Sequence, residues 1–271
     1  MKYKKISGQV EIPMLGLGTY RITGEQEVLT AVKAAYETGY RHFDTADIYG
    51  NHRQLAKAFK TLQIPREEIF ITSKIWNSDH GYNSTFSVYD RLLNELETDY
   101  LDLFLIHWPG FSYTFLDTWQ AMIELWQKNR VRAIGVSNFF IKHLEILLKE
   151  TSVAPAVNQI ELHPYLVDWN LVKFCRQNNI AVESWAPILK GEIAKDITLK
   201  QIGEKYGKTA VQVTLRWHIQ NDFIAIPKSA NPQRIKENFD IWDFELSQED
   251  MALIDRLNHG YRRGPNPDSF F

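Results

Sequence analysis

The chain has 271 residues, 44% of them hydrophobic and 13% aromatic, with a formal net charge of −2 (31 Lys and Arg against 33 Asp and Glu) and one cysteine. That apolar content excludes a disordered chain, and the charge gives a nucleic-acid or anionic-membrane partner no electrostatic support. A lone Cys175 excludes an intrachain disulfide and a cysteine-rich zinc site. No apolar run approaches the ~20 residues of a membrane helix. No apolar signal-peptide core follows the lysines of residues 1–5, so a soluble, cytoplasmic protein is expected.

Residues 3–12 predict a hairpin turning at Ser7-Gly8, with Val10 and Ile12 on one face and Pro13 at its end. Residues 15–19 read as a short apolar strand. Its glycines mark a bulge or the close approach of another backbone or a ligand. Helical spacing follows at 25–38 (Val28, Leu29, Val32, Ala35, Tyr36) and stops at Gly39. This strand-then-helix unit recurs. Strands are expected at 42–44, 69–74, 103–107, 133–138, 156–160, 180–185 and 223–227. Helices are expected at 53–62, 84–97, 115–128, 141–148, 169–177, 211–219 (with a shorter one at 199–206) and 232–238. Eight units of short apolar strand plus helix predict an α/β fold, a (β/α)8 TIM barrel, better than an open sheet. One domain, 1–271, is expected, with an N-terminal β-hairpin and a C-terminal extra helix (247–257) and Gly/Pro-rich tail. Cys175 lies on a helical pattern, where a small packed hydrophobe is the favoured reading.

The strands end on chemistry. Thr19, Asp44, Lys74, His107, Asn138, Gln159, Trp185 and Lys228 each close a different one, and in a barrel they would ring one mouth, where active sites form. Singly, each has a plainer reading. Asp44 can cap a helix, Tyr49 can be a loop aromatic on the rim, and His107 a packed core histidine. Lys74 is harder to dismiss, because a lysine ending an apolar strand is almost never buried without a partner. Together the four suit proton transfer to a carbonyl oxygen. A free phenol has a pKa of ~10, too high for efficient acid catalysis near neutrality; the Lys74 ammonium is expected to lower that of Tyr49. Asp44 would hold Lys74 charged and in place, and His107 would direct the carbonyl. No side chain supplies hydride, so reduction requires a nicotinamide. Two alternatives stand beside this: a Schiff-base aldolase using Lys74, and a nucleotide-sensing protein without useful turnover.

The same residues carry a family resemblance. Gly16-Leu17-Gly18-Thr19, residues 39–46 with Tyr49-Gly50-Asn51, residues 101–109 (Leu-Asp-Leu-Phe-Leu-Ile-His-Trp-Pro) and Ile226-Pro227-Lys228-Ser229 are spaced as in the aldo-keto reductases. The chain resembles that family along nearly its whole length, most of all the prokaryotic branch near the 2,5-diketo-gluconate reductases. The resemblance implies NADPH-dependent, reversible reduction of aldehydes or ketones, with Asp44, Tyr49, Lys74 and His107 as the catalytic set and Tyr49 as general acid. It implies NADPH or NADP bound extended across the mouth, with no metal. Gly18 and Thr19 would border the cofactor; Ser137, Asn138 and Gln159 would bind its carboxamide, and Trp185 would stack on its ring. Lys228, Ser229 and Arg234 would clamp the 2′-phosphate, and Glu237 and Asn238 would reach the adenine. The plainer reading of Arg234 is an intrahelical pair with Glu237, worth only ~0.3–0.5 kcal/mol. Tyr20, Trp76, Trp108 and the tail aromatics would line the pocket for a small-molecule carbonyl substrate, in a protein expected to be monomeric. Two segments depart from the family pattern. Residues 186–192 lack an early glycine after Pro187, and the loop after His107 (Gly110-Phe111-Ser112) is short.

Overall fold

The structure, a computed structural model, describes residues 1–110 and 114–270. The chain opens with an antiparallel hairpin of β1 (Tyr3–Ser7) and β2 (Val10–Pro13). Eight strands follow: β3 (Leu17–Gly18), β4 (His42–Asp44), β5 (Phe70–Ile75), β6 (Leu101–Ile106), β7 (Val131–Ser137), β8 (Val157–Glu161), β9 (Ala181–Trp185) and β10 (Ile224–Ala225). Each pairs in parallel with the next in chain order. Parallel bridges of Leu15 with Ala225 and of Gly18 with Lys228 join the first strand to the last and close the barrel. The Gly16 N–H donates to Ala225 O at 2.9 Å, and the Ala225 N–H to Met14 O at 2.9 Å. Both outer strands are shorter than expected; at the last, Pro227 has no N–H to give the ladder.

The seam explains its glycines. A Cβ on Gly18 would lie 2.8 Å from Ile226 O, and one on Gly16 2.5 Å from the His42 ring. The close approach foreseen for this strand is therefore made by the last strand and by His42.

Helices α1 (Glu25–Thr38), α2 (His52–Thr61), α3 (Tyr82–Leu96), α4 (Phe115–Gln127), α5 (Ile141–Glu150), α6 (Trp169–Gln177), α7 (Ile197–Tyr206), α8 (Ala210–Gln220), α9 (Pro232–Phe239) and α10 (Gln248–Asp255) fall within two residues of their expected bounds. Local chemistry sets those bounds. Gly39 takes a φ of 119° and closes α1, Asp168 accepts from Asn170 N and Leu171 N to start α6, and Thr209 with Gln212 forms a capping box on α8. Each N-cap stabilises by about 1 kcal/mol.

Successive strand residues point to opposite sides, so the barrel has two apolar layers. Outward residues such as Phe104 and Ile134 pack with helix residues such as Trp119, Leu144 and Trp217. Inside, Ile6 and Ile12 of the hairpin meet Phe70, Leu103, Leu105, Ala133, Val157, Ala181 and Ile224. Burial of each such side chain stabilises by roughly 1.5–3 kcal/mol. This plug fills the amino-terminal end. The next inward residues along the same strands are polar: Thr72 and Lys74, Gln159 and Glu183. The sequence therefore builds a dry floor and places its ionisable groups above it. Cys175 is fully buried, and burial pushes its thiol up to about 11, as suits a packed side chain. Among the described residues no helix is long and apolar enough to cross a membrane.

Candidate active site

Lys74 is fully enclosed. Its Nζ donates to Asp44 Oδ1 at 2.7 Å, to Asp44 Oδ2 at 2.8 Å and to Thr45 O at 2.9 Å, so all three ammonium protons are engaged. Burial pushes the Asp44 carboxyl up, and this outweighs the opposing pull of Lys74 and Gln159.

Tyr49 ends a 3-10 turn (Asp47–Tyr49) that Gly50 closes with a φ of 62°. Two contacts fix that turn. Arg91 of α3 grips Asp47 with two hydrogen bonds (2.7 and 3.0 Å). The buried Asn51 accepts from Thr45 Oγ1 at 2.6 Å and donates to Thr19 O and Ile22 O at 3.0 Å, tying together the loops after β3 and β4. The Tyr49 ring centroid lies 5.3 Å from Lys74 Nζ, 5.8 Å from the His107 ring and 5.0 Å from the Tyr20 ring.

The lowered phenol pKa expected from Lys74 is not found. Burial, then the Asp44 charge and Tyr20, hold Tyr49 well above the ordinary tyrosine value. The reason is geometric: Lys74 directs its N–H donors to Asp44 and Thr45, and the adjacent carboxylate weakens its pull on the phenol. Tyr49 is thus a protonated donor at neutral pH.

His107 follows β6, with its ring edge-on to Trp76 at 5.0 Å. Burial, then Lys74 and His80, pull its pKa well down, leaving a neutral imidazole. Its buried Nδ1 has no hydrogen-bond partner among the described residues.

Ser137, Asn138, Gln159 and Trp185 come together, but their polar atoms are partly committed to one another. The Asn138 side chain donates to His107 O and Ser137 Oγ (both 3.0 Å) and accepts from Trp185 Nε1 at 2.8 Å. Ser137 Oγ donates to Gln159 O at 2.8 Å. Thr19 Oγ1 donates to Asp44 O at 2.9 Å and is likewise occupied, while Gly18 packs at the seam. What remains free on Ser137, Asn138 and Gln159 is acceptor capacity, which suits an amide NH2.

Beside Gly18, the exposed Lys228 and Arg234 have no carboxylate partner among the described residues, and the intrahelical pair of the plainer reading is not formed. Glu237 instead accepts from Gln233 Nε2 at 3.3 Å. Asn231 caps α9 by accepting from Arg234 N at 3.1 Å, and its own N–H donates to Ser229 Oγ at 3.1 Å. Two exposed cations, a hydroxyl and a helix N-terminus in one segment are groups that could hold an anion. Asn238 is buried on the same helix.

The tail crosses the mouth. The buried Glu161 accepts from the backbone N–H groups of Arg263 and Gly264 (2.6 and 2.9 Å). A Cβ on Gly264 would lie 2.2 Å from the Trp185 ring, so any larger residue there would have to displace that ring. Arg263 pairs with Glu192 at 3.2 Å and Lys142 with Asp268 at 2.8 Å. Phe270 packs on the buried Trp108 at 4.5 Å. Trp108 thus anchors the tail, while the half-exposed Tyr20 and the partly buried Trp76 flank Tyr49 and His107. In the segment without an early glycine, Ala186, Leu189 and Lys190 all adopt positive φ (48–55°). Phe111, Ser112 and Phe271 lie outside the described residues.

The aldo/keto reductase family matches residues 14–259. The chain belongs to that family. It is 47% identical over 264 residues to the glyoxal reductase of Bacillus subtilis, covering 97% of this chain and 95% of that protein. The crystal structure of a Gox0644 mutant in complex with NADPH superimposes with a TM-score of 0.92 at 40% identity, covering 96% of this chain and 95% of that one. A putative 2,5-diketo-D-gluconic acid reductase B gives a TM-score of 0.92 at 36% identity, covering 98% and 96%.

In this aldo/keto reductase, three buried polar residues at the site were not singled out from sequence: Asn51, Glu161 and Glu183. A signal existed for Glu183. A carboxyl at the centre of the apolar strand Ala181–Trp185, in phase with Trp185, must point into the barrel.

Proposed function

We propose that the protein reduces small aldehydes and ketones with NADPH, Tyr49 giving its proton to the carbonyl oxygen. The carrying observation is the bidentate Asp44–Lys74 pair enclosed beside a protonated Tyr49, with the neutral His107 edge-on at 5.8 Å. Bound NADPH supplies the hydride that the carbonyl carbon receives. Lys228, Ser229 and Arg234 fit its 2′-phosphate, because a cationic pair beside a hydroxyl suits a phosphomonoester. Glu237 and Asn238, one turn on, would meet the adenine. The free acceptors of Ser137, Asn138 and Gln159 fit the carboxamide, and Trp185 offers a flat ring. A neutral His107 directs the substrate oxygen toward Tyr49 by donating one hydrogen bond. As the phenol gives up its proton, Lys74 stabilises the phenolate left behind, and Asp44 keeps Lys74 in register.

The similarity to a glyoxal reductase supports small dicarbonyl substrates, and the aromatic flanks Tyr20 and Trp76 suit compact, planar carbonyls. The Schiff-base alternative needs a free amine at Lys74, whereas all three of its protons are engaged. The test follows the loss of nicotinamide absorbance with NADPH over a carbonyl panel that includes glyoxal and methylglyoxal. Tyr49→Phe is expected to lower kcat by about 100- to 10,000-fold while NADPH still quenches protein fluorescence. Full turnover by that variant would remove Tyr49 from the chemistry.

A further inference from the structure

Glu183 lies inside the barrel with no solvent exposure. Its Oε2 accepts from Gln159 Nε2 at 2.7 Å, and the same nitrogen donates to Asp44 Oδ2 at 2.8 Å. One carboxamide NH2 therefore ties two buried carboxyls together. Two ionised carboxylates held this close in a dry interior repel each other, so one of them keeps a proton.

The surroundings decide which. Asp44 holds Lys74 in a bidentate pair. Among the described residues Glu183 has no cation of its own: its Oε1 is buried without a hydrogen-bond partner, and His42 Nε2 stands 3.7 Å away. That nitrogen already engages Thr72 Oγ1 at 3.0 Å. Burial, then Lys74, pulls His42 down to about 3, so it stays neutral and offers no countercharge. Around Glu183, β4 contributes His42 and Asp44, β5 Thr72 and Lys74, β8 Gln159, and β10 the apolar Ile224 opposite it. Burial and the Asp44 charge push Glu183 up to about 8, against the weaker pull of Gln159 and Lys74.

We propose that Glu183 is a protonated positioning residue of this site, which orients Gln159 and keeps the buried cluster at zero net charge while Tyr49 gives up its proton. With Asp44 negative, Lys74 positive and Glu183 neutral, the charges cancel. Ionising Glu183 adds an uncompensated negative charge, makes the phenolate harder to form and slows carbonyl reduction. The kinetic part of this inference rests on the reductase reading of the site; the protonation of Glu183 does not.

The experiment therefore has two arms. The first is infrared titration of the cofactor-free protein between about pH 6 and about pH 10, spanning the range above ordinary carboxylates. It is expected to show a buried protonated-carboxyl band that disappears with a midpoint of about 8 and is missing from Glu183→Gln. The second is kinetic. Glu183→Leu, which leaves Gln159 one anchor short, is expected to raise the Kd for NADPH about tenfold. Glu183→Gln, which reproduces the neutral form, is expected to restore binding and to abolish the alkaline fall in kcat. Thermal melts of both variants separate this from misfolding. A carboxyl already ionised at neutral pH, or an alkaline limb unchanged in Glu183→Gln, overturns the proposal. If no carbonyl is reduced at all, the proposed function falls, while the infrared arm still decides the state of Glu183.

Discussion

Replacing Lys74 by methionine keeps most of the side-chain volume and removes the ammonium. Asp44 then loses both hydrogen bonds from Lys74 Nζ and, among the described residues, keeps only Gln159 Nε2 at 2.8 Å, inside a barrel where it is almost wholly buried. Breaking a buried pair by deleting one partner costs about 3–5 kcal/mol, because the remaining charge is uncompensated. For a chain of this size each kcal/mol moves Tm by roughly 2–4 °C, so a fall of roughly 6–20 °C is expected at neutral pH. The pH dependence is the sharper test. Asp44 already sits above its ordinary value of 3.8, and both Lys74 contributions pull it down. Deleting Lys74 therefore raises it further. A carboxyl raised in the folded state binds its proton more tightly there, so it destabilises the fold progressively as pH rises through the folded pKa. The penalty vanishes toward the ordinary aspartate range. Thermal melts of both proteins from neutral to acid pH should show the gap closing as the pH falls. A loss below about 1 kcal/mol, the size of a surface ion pair, or a gap constant with pH, would refute the buried-pair argument.

Arg234→Met is expected to raise KM for NADPH by about 10- to 150-fold, the equivalent of a charge-assisted hydrogen bond of about 1.5–3 kcal/mol, and to leave KM for NADH nearly unchanged. Equal effects on both cofactors would place Arg234 away from the 2′-phosphate. Glu161→Gln loses a carboxylate that receives two tail N–H groups, and amide exchange at Arg263 and Gly264 should quicken by about 5- to 150-fold, for about 1–3 kcal/mol. In the unaltered protein burial pushes Glu161 up, but His163 and the Gly264 and Arg263 N–H groups outweigh it, so its pKa is lowered. Tail docking should therefore persist above the ordinary glutamate range and weaken as pH falls through the lowered value; docking that tightens in acid would contradict this.

Much of the barrel was readable in the chain because its cues are local. Apolar strands and Gly39 as a helix stop are written within a few residues of where they act. Strand-end placement also gathered Asp44, Lys74, His107, Gln159 and Trp185, because each closes a different strand. Tyr49, five residues past its strand, depended on the Asp47–Arg91 and Asn51 contacts, which join segments far apart in sequence.

What the sequence by itself determined was the eight-unit pattern and which ionisable residue types reach the carboxyl end of the barrel. Only the tertiary structure decided their electrical states. Direct attention to Lys74 and Tyr49 suggests a lowered phenol pKa, whereas the folded site directs Lys74 to Asp44 and Thr45 and holds Tyr49 protonated. It likewise pairs Glu183 with Asp44 through Gln159, across 24 and 115 residues of chain. Charge, burial and the reach of one carboxamide combine there over distances of a few ångströms. No spacing along the chain encodes such distances.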